Sequence, residues 1–461
     1  MTDFNYVFYG KISVNLKSFL HIGGVEEGEI VKDGTNTYII PASSIAGAIK
    51  GYFSKYGKSY DEYLGSSKSG TKGQSHTYYY DAICRNCNVE KRTGICIDST
   101  YGVAKKEKLH NRAFLSEGME TDLLIQVFLR EEKEVTEFEN IFNNIVKGIS
   151  EQEILLGSNK STGAGRFDVL KYGSVTLNLS KPEDFISYLT GVPYNFESVP
   201  LKEIAEKNLI SEAVNENYTE FILKAEIRDG ILVKSGIEHE TMEFSLTGEA
   251  VAVNETNMRK LYRGKNECYI PGSAVKGILR GYAEKILGED KVESPIINEL
   301  FGGEIGENNV PSQIMTEDVM ILDAKSIIRD RILIDRFSGG AINGAKMNHE
   351  EVFTKEGNYI YIRICNIMQE NSEKKKILNA IIFFTLRDIG FGLLPVGSAS
   401  SIGLGRIYGI SMKIDDSEII LQHPSNQQEQ AGDVNYVLDM NDDMKKEIEE
   451  WIVEVQKYVK S

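Results

Sequence analysis

Two stretches carry the same reactive groups in the same order: Gly157, Ser158, Ser161, Gly163, Gly165 and Arg166 within residues 157–166, and Gly397, Ser398, Ser401, Gly403, Gly405 and Arg406 within residues 397–406. Both read G-S-x-x-S-x-G-x-G-R without a gap, and the first adds Lys160. Glycines admit positive φ and close backbone approach, serines donate hydroxyls, and arginine offers a planar fork suited to phosphate oxygens. The chemistry that follows is anion binding, with a plain glycine-rich turn as the alternative. Neither copy is a Walker loop, since no Gly-Lys-Ser/Thr closes it, nor a G-x-G-x-x-G fingerprint, since Asp168 and Tyr408 stand in the last position.

A second set of groups suits a metal. Cys84 and Cys87 stand as C-x2-C, Cys96 could supply a third thiolate, and His76 or His110 a fourth ligand, which is the donor set of a structural Zn2+. Three separate thiols are the alternative, and nothing around them resembles a thioredoxin-type redox pair. A third set is acidic: Glu26, Glu27, Glu29 and Asp33 in an early loop, and Glu238, Glu240 and Glu243 in a later one. A carboxylate there could ligate Mg2+ or orient a 2'-hydroxyl for attack on a phosphate, although a solvated acidic loop is the commoner meaning.

The elements that must position these groups also occur twice. Residues 40–53 and 270–283 match at a constant spacing of 230, each with an Ile-Pro pair, a serine read as an N-cap (Ser43, Ser273) and apolar residues at i, i+3, i+4, i+7, i+8 and i+11. Each is an amphipathic helix. On a wheel of about 100° per residue, Gly47, Lys50 and Gly51 fall opposite the apolar stripe, as do Gly277, Arg280 and Gly281. Glycine inside a helix costs about 1 kcal/mol relative to alanine, so the repeated pair implies close approach of a bulky group beside a cation, or else a tightly packed neighbouring helix. Both halves then keep F-x-x-E-G (Phe114 to Gly118, Phe353 to Gly357) before a strand, and a helix (137–149, 373–388) that delivers the chain to its glycine loop. Residues 57–80 read as a surface loop. Residues 329–346 read as a protruding hairpin absent from the first half, with Arg329, Arg331, Arg336 and Lys346 interleaved with apolar residues and glycines.

Bulk properties bound the rest. A chain of 461 residues with 41% hydrophobic content has no apolar run of about 18 residues and no basic-then-apolar leader at its start, so a cytoplasmic protein is expected, with no membrane contact. Five cysteines, an odd number, do not make a secreted disulfide framework and fit a reducing compartment. A net charge of -16 confines any nucleic-acid binding to local basic loops, and the acid is concentrated late, with 12 acidic against 5 basic side chains in residues 413–461.

In this order Pro271, Gly272, Ser273, Lys276, Gly277 and Arg280, then Leu300-Phe301-Gly302, then Asp330-Arg331 to Gly339-Gly340, then the loop at 397–406, the second half resembles the backbone subunits of type III CRISPR effectors, members of the RAMP superfamily. The first half carries the plan more loosely, in Leu20-His21-Ile22-Gly23-Gly24, Pro41 to Ser44, the cysteines before Tyr101-Gly102, and the loop at 157–166. The whole is similar to a tandem backbone protein of the kind fused in subtype III-D complexes.

The resemblance implies an α+β chain of two tandem ferredoxin-like (RRM-like) domains with insertions, thumb-like β-hairpins and a zinc-binding insertion in the first. The expected division is a first domain at 1–179, a linker at 180–216, a second domain at 217–412, and an acidic tail with a terminal helix at 413–461. CRISPR RNA would be held through its phosphates by His21, Ser43, Lys50, Ser158, Lys160, Ser161, Gly163, Gly165, Arg166, Ser273, Lys276, Arg280, Arg331, Arg336, Lys346, Ser398, Ser401, Gly403, Gly405 and Arg406. Target RNA and other effector subunits are the implied partners. Zn2+ would sit on Cys84, Cys87, Cys96 and His76, and Asp33 is the candidate for Mg2+-dependent target cleavage. Two further readings stand beside this one: a processing endoribonuclease using His21 as acid/base, with Ser235 and His239 near the matching place in the second half, and a duplicated binder of a small phosphate metabolite.

Overall fold

Phe8, Ile12, Val14 and Leu16 share the inner face of the first strand, the period-two pattern of a strand with one face in a core. A computed structural model of the chain describes residues 4–24, 28–58, 60–65, 75–97, 104–191, 196–197, 199–203, 218–234, 256–262, 265–288, 295–305, 308–368, 372–423 and 437–460, leaving aside the side chains of 93, 96, 97, 104–110, 261, 262 and 344–347. It divides into two units, Met1–Gly94 with Leu109–Glu216, and Ile95–Lys108 with Asn217–Ser461.

The first half runs β1 (Tyr6–Leu16), β2 (Ile39–Ile40), α1 (Ala42–Lys55), the short α2 (Asp61–Leu64), β3 (Thr77–Tyr79), β4 (Ala82–Ile83), a hairpin of β5 (Val89–Ile97) and β6 (Ala104–Leu115), β7 (Glu120–Leu129), α3 (Glu132–Ser150), β8 (Phe167–Asn178), α4 (Pro182–Leu189) and β9 (Lys202–Glu203). Its antiparallel sheet has the order β3-β7-β1-β8-β9. Ile45, Ile49, Tyr52 and Phe53 of α1 and Phe138, Ile141, Phe142 and Ile145 of α3 share the core under β1. On the other face Val7 and Tyr9 pack with Phe196 and Val199.

The second half repeats the order: β10 (Thr219–Ile227), β11 (Arg259–Tyr262), β12 (Lys265–Ile270), α5 (Gly272–Leu287), α6 (Pro295–Phe301), a small hairpin of β13 (Gly303–Ile305) and β14 (Asn308–Val310), β15 (Ile314–Thr316), β16 (Val319–Ile321), the hairpin of β17 (Lys325–Ile334) and β18 (Ala341–Phe353), β19 (Ile360–Asn366), α7 (Glu373–Gly390) and β20 (Ile407–Ile414). Its sheet runs β15-β19-β10-β20 and continues into β21 (Ser417–Gln422) and β22 (Val437–Asp439). The stretch read as an acidic tail therefore extends the sheet. It ends in α8 (Asp442–Lys460), whose Met444, Ile448, Trp451 and Val455 enter the second core.

The duplication reaches irregular details. Register slips between Ser13 and Val14 where β1 meets β8, passing over Leu170, and between Lys224 and Ala225 where β10 meets β20, passing over Ile410. Both are one-residue bulges at the same place. Three expectations need correction. The first half does have its own hairpin, β5 with β6, where the reading saw only a cysteine-bearing insertion. Residues 57–80 are not all loop, since α2 and β3 lie in them. And Ser43 and Ser273 do not cap their helices: Pro41 and Pro271 take the N-cap place with ψ of 141° and 140°, and the first amide is served from a distance. Ala42 N donates to Asp81 Oδ1 at 2.7 Å, and Gly272 N to Asp318 Oδ1 at 3.0 Å.

Candidate nucleic-acid interface

The two glycine loops fold alike. Gly157, Asn159, Gly163 and Gly165 have φ of 78°, 58°, 94° and 80°, and Gly397, Ala399, Gly403 and Gly405 have 94°, 60°, 95° and 86°. A Cβ at Gly157 would stand 2.6 Å from the His21 carbonyl oxygen and one at Gly397 2.7 Å from that of Leu232, while Gly165 and Gly405 would drive theirs into the carbonyls of Leu156 and Val396. These glycines are required by the loop's own backbone.

The first serine of each loop is an anchor. Ser158 donates its amide (2.8 Å) and hydroxyl (3.2 Å) to the His21 carbonyl, as Ser398 does to that of Leu232 (2.8 and 3.0 Å). The hydroxyls expected on phosphate are spent holding the loop to the segment that follows the first strand. In unit one this brings together Ile22 and Gly23 after β1, Ser43, Ser44 and Gly47 on α1, and Gly157, Ser158 and Lys160 of the loop, around an open cleft of about 350 Å³. Burial pushes the Lys160 ammonium below its ordinary pKa. A Cβ at Gly47, Gly51 or Gly277 would meet no atom of the described residues within 4 Å. Among the described residues these three glycines face open space, with no neighbouring helix packed against them.

The cations divide between structure and surface. Lys50 donates to the Gly65 carbonyl at the end of α2 (2.6 Å). Arg280 binds Asn298 Oδ1 (2.9 Å), Gly302 O (3.5 Å) and Glu284 (3.5 Å). Each ties its helix to the end of the next one, so the sequence reading of both as phosphate ligands missed a structural role. Lys276, half-buried on α5, is pushed down to about 8 by burial and then by Arg280. Ser273, Ser401, Gly403 and Arg406 are exposed, whereas Ser161 and Arg166 are half-buried and Gly163 is buried. On the second hairpin Arg331 lies 3.6 Å from Glu351, Arg336 is exposed at the turn beside a fully exposed Phe337, and the Lys346 side chain lies outside the described residues.

Among the described residues the candidate catalytic and metal groups are not brought together. Asp33 Oδ1 accepts from the amides of Thr35 (2.8 Å) and Thr37 (2.9 Å) and from the Thr35 hydroxyl (2.8 Å). These bonds, that from the Thr37 amide first, hold its carboxyl below the usual range, so it caps its own turn and is a weaker base. Lys32 bridges Tyr38 two residues before Ile40, as Arg259 bridges Cys268 two residues before Ile270, which puts Lys260 where the first unit has Asp33. Glu26, Glu27, Ser235, Glu238, His239, Glu240 and Glu243 lie outside the described residues. His21 is buried with its Nδ1 2.7 Å from the Ala113 carbonyl, and its counterpart by hydrogen bonding is Leu232 rather than a residue near Ser235. The histidine is not repeated.

Cys84 and Cys87 have adjacent thiols, and burial pushes Cys84 up to about 12. His76 accepts from Phe128 at one end of β7, while Arg85 bridges Glu120 at the other, about 27 Å away at ~3.4 Å per residue. Cys96 sits on β5 seven residues beyond Val89, about 24 Å along the strand. The side chains of Cys96 and His110 lie outside the described residues, and among those described no group of three or more His, Cys, Asp or Glu could hold a metal. Among the described residues His76 is therefore not brought to the Cys84–Cys87 pair.

What the fold and the loops define is a duplicated protein of mixed α and β structure with antiparallel sheets, each copy setting a glycine loop against the segment that follows its first strand. The RAMP superfamily matches residues 13–168 and 239–408, one stretch in each half and more than half of the chain together, and the chain belongs to that superfamily. Its members generally act in CRISPR RNA–protein complexes, and an RNA-binding role is consistent with membership. No curated protein matches the chain. Among the described residues no helix is long and apolar enough to cross a membrane. Sequence reasoning missed Ile22, Gly23 and Ser44 as cleft residues and Asp81 and Asp318 as caps. Each cap is an aspartate directly before the short strand of its half, a pattern that repeats but that does not by itself mark a cap.

Proposed function

We propose that the chain is a tandem backbone subunit of a type III CRISPR–Cas ribonucleoprotein, holding CRISPR RNA by its phosphates for pairing with target RNA alongside other effector subunits. The order β3-β7-β1-β8, with α1 and α3 in the connections, supports reading each unit as ferredoxin-like. The observation that carries the reading is the convergence of Gly23, Gly47 and Lys160 on one open cleft. Helix glycines with no described residue against them and a lysine lining the cleft suit a sugar-phosphate chain laid across the helix. The size of the cleft does not distinguish a polymer from a small phosphate compound, but the exposed second loop, with Arg406 beside it, favours the polymer. The reading does not include cleavage by Asp33, whose carboxylate is engaged by its own turn.

Because the net charge is -16, binding has to rest on a few local cations and be strongly salt-dependent. Titration of a labelled single-stranded RNA at several salt concentrations tests this. Lys160→Ala is expected to weaken binding and to reduce the slope of log K against log salt by about 0.7, the value for one phosphate contact on a single strand. A slope unchanged by that substitution, or displacement of the RNA by millimolar phosphate, would overturn the reading.

A further inference from the structure

Asp81 and Asp318 lie at the same point of the two halves, directly before β4 and β16, the strands that lead toward each hairpin. Each sends a carboxylate oxygen back to the first amide of the helix that bears the glycines, Ala42 of α1 or Gly272 of α5. In α1 the amides of Ser44 and Ile45 already turn to the Pro41 carbonyl (2.9 and 3.2 Å), as those of Ala274 and Val275 turn to Pro271 (2.9 and 3.3 Å). The aspartate therefore completes the helix start from a distant segment and fixes where the serine and glycine of the first two turns stand. In the second half its other oxygen is also held, by Lys260 at 2.9 Å in a buried pair.

From this we infer that Asp81 and Asp318 are positioning residues of the RNA grip: they touch no RNA, and they hold the glycine-bearing helix in register with the strand that leads to the hairpin. This rests on the binding reading above. It makes a prediction opposite in sign to simple electrostatics. An aspartate close to a polyanion lowers affinity by repulsion, so its removal should tighten binding if proximity is all that matters. A positioning role requires removal to weaken it.

Asp81 is the residue to test, because Asp318 also neutralises Lys260. With the full chain and a labelled single-stranded RNA, well below the melting temperature, Asp81→Ala should bind about tenfold more weakly, the scale of a lost helix cap, with the salt slope unchanged because the cations remain. Asp81→Asn keeps the accepting oxygen and should restore wild-type affinity. Asp81→Ser, too short to reach Ala42, serves in place of alanine should alanine not fold. Wild-type or tighter binding by the alanine or serine variant, a changed salt slope, or failure of asparagine to restore binding each overturns the inference. Lys160→Ala, measured in parallel, separates the two claims: if it leaves affinity and slope untouched the RNA reading has failed, and if it behaves as expected while Asp81→Ala is silent only the positioning role has failed.

Discussion

The two hairpins rest on bases built from opposite chemistry. Leu20 bridges Leu115 in the first half as Ile231 bridges Val352 in the second, so at this bridge Phe19, Ala113 and Phe114 stand where Gly230, Glu350 and Glu351 do, while the F-x-x-E-G motif pairs Phe114 with Phe353, whose ring lies against Gly230. In the first half Phe19 and Phe114 meet edge to face at 5.1 Å, and the Arg92 guanidinium lies 3.7 Å from the Phe19 ring. In the second, Glu351 takes Arg329 (2.6 Å), Arg331 (3.6 Å) and His349 (3.0 Å), while Glu350 binds Arg259 and accepts from the Asn257 amide (3.1 Å). An arginine from the first strand of the hairpin serves both bases. Backbone geometry was kept through duplication while the stacked aromatic pair gave way to ion pairs on two buried glutamates beside the Phe353 ring, so what the fold requires here is a filled, cation-bearing junction.

The sharpest way to break this comparison is to give the second half the residue of the first. Glu350→Ala installs the counterpart of Ala113 but leaves the Arg259 guanidinium, only 16% exposed, without its carboxylate. Losing one member of a buried pair costs about 3–5 kcal/mol. Denaturant unfolding of the variant should show that loss, and hydrogen exchange should place it in the amides of β17 and β18 while those of β5 and β6 keep their protection. Adding Arg259→Leu should recover much of it. A loss below about 1 kcal/mol would mean that the ion pairs are ornament to a base held otherwise.

The same contrast explains how much the sequence disclosed. Glycine loops and helix motifs were legible because each is contiguous and its residue types are dictated by local backbone, as at Gly165 and Gly405. The caps at Asp81 and Asp318 were not, because the partner lies across a loop and an α-helix and nothing local distinguishes a capping aspartate from a solvated one. The bonds that Lys50 and Arg280 make to helix ends were hidden for the related reason that a cation on a polar helix face looks alike whether it meets a phosphate or a helix-end carbonyl. The first hairpin was hidden by the nearby cysteines, which suggested a metal knuckle where the chain runs on from Cys84 and Cys87 into the extended strand that carries Cys96. In residues 413–461 acidic composition masked Ile419 and Leu421, which alternate inward on β21 and extend the sheet.

Where the halves agree, a milder substitution sharpens the comparison. Gly47→Ala and Gly277→Ala add a methyl that meets no described atom within 4 Å, at positions where alanine favours the helix by about 1 kcal/mol. Each variant should therefore melt slightly higher than wild type. If the open face of the helix is where the RNA backbone lies, each should also bind RNA several-fold more weakly, a loss of function with a gain of stability. Equal affinity in both variants would mean that the glycines serve something other than a close-lying ligand.

The smallest expected effect separates the halves again, through Lys276, whose place on α1 is taken by Ala46. Burial, and then Arg280, push the Lys276 ammonium down to about 8. A lysine whose folded pKa lies below its unfolded value penalises folding while it is charged, so that penalty is complete below about 8 and fades as pH rises toward the ordinary value near 10.5. Stability of the second half should thus rise slightly over that interval. Affinity for a polyanion should move the other way, falling as the ammonium loses its proton, and RNA bound near it should draw a proton in at pH 8. Calorimetry in two buffers of different ionisation enthalpy would register that uptake in the wild type. Lys276→Arg, charged throughout, should abolish both the uptake and the fall in affinity above pH 8. If the arginine variant keeps the wild-type profile, the titrating group lies elsewhere and the second half does not differ from the first in this respect.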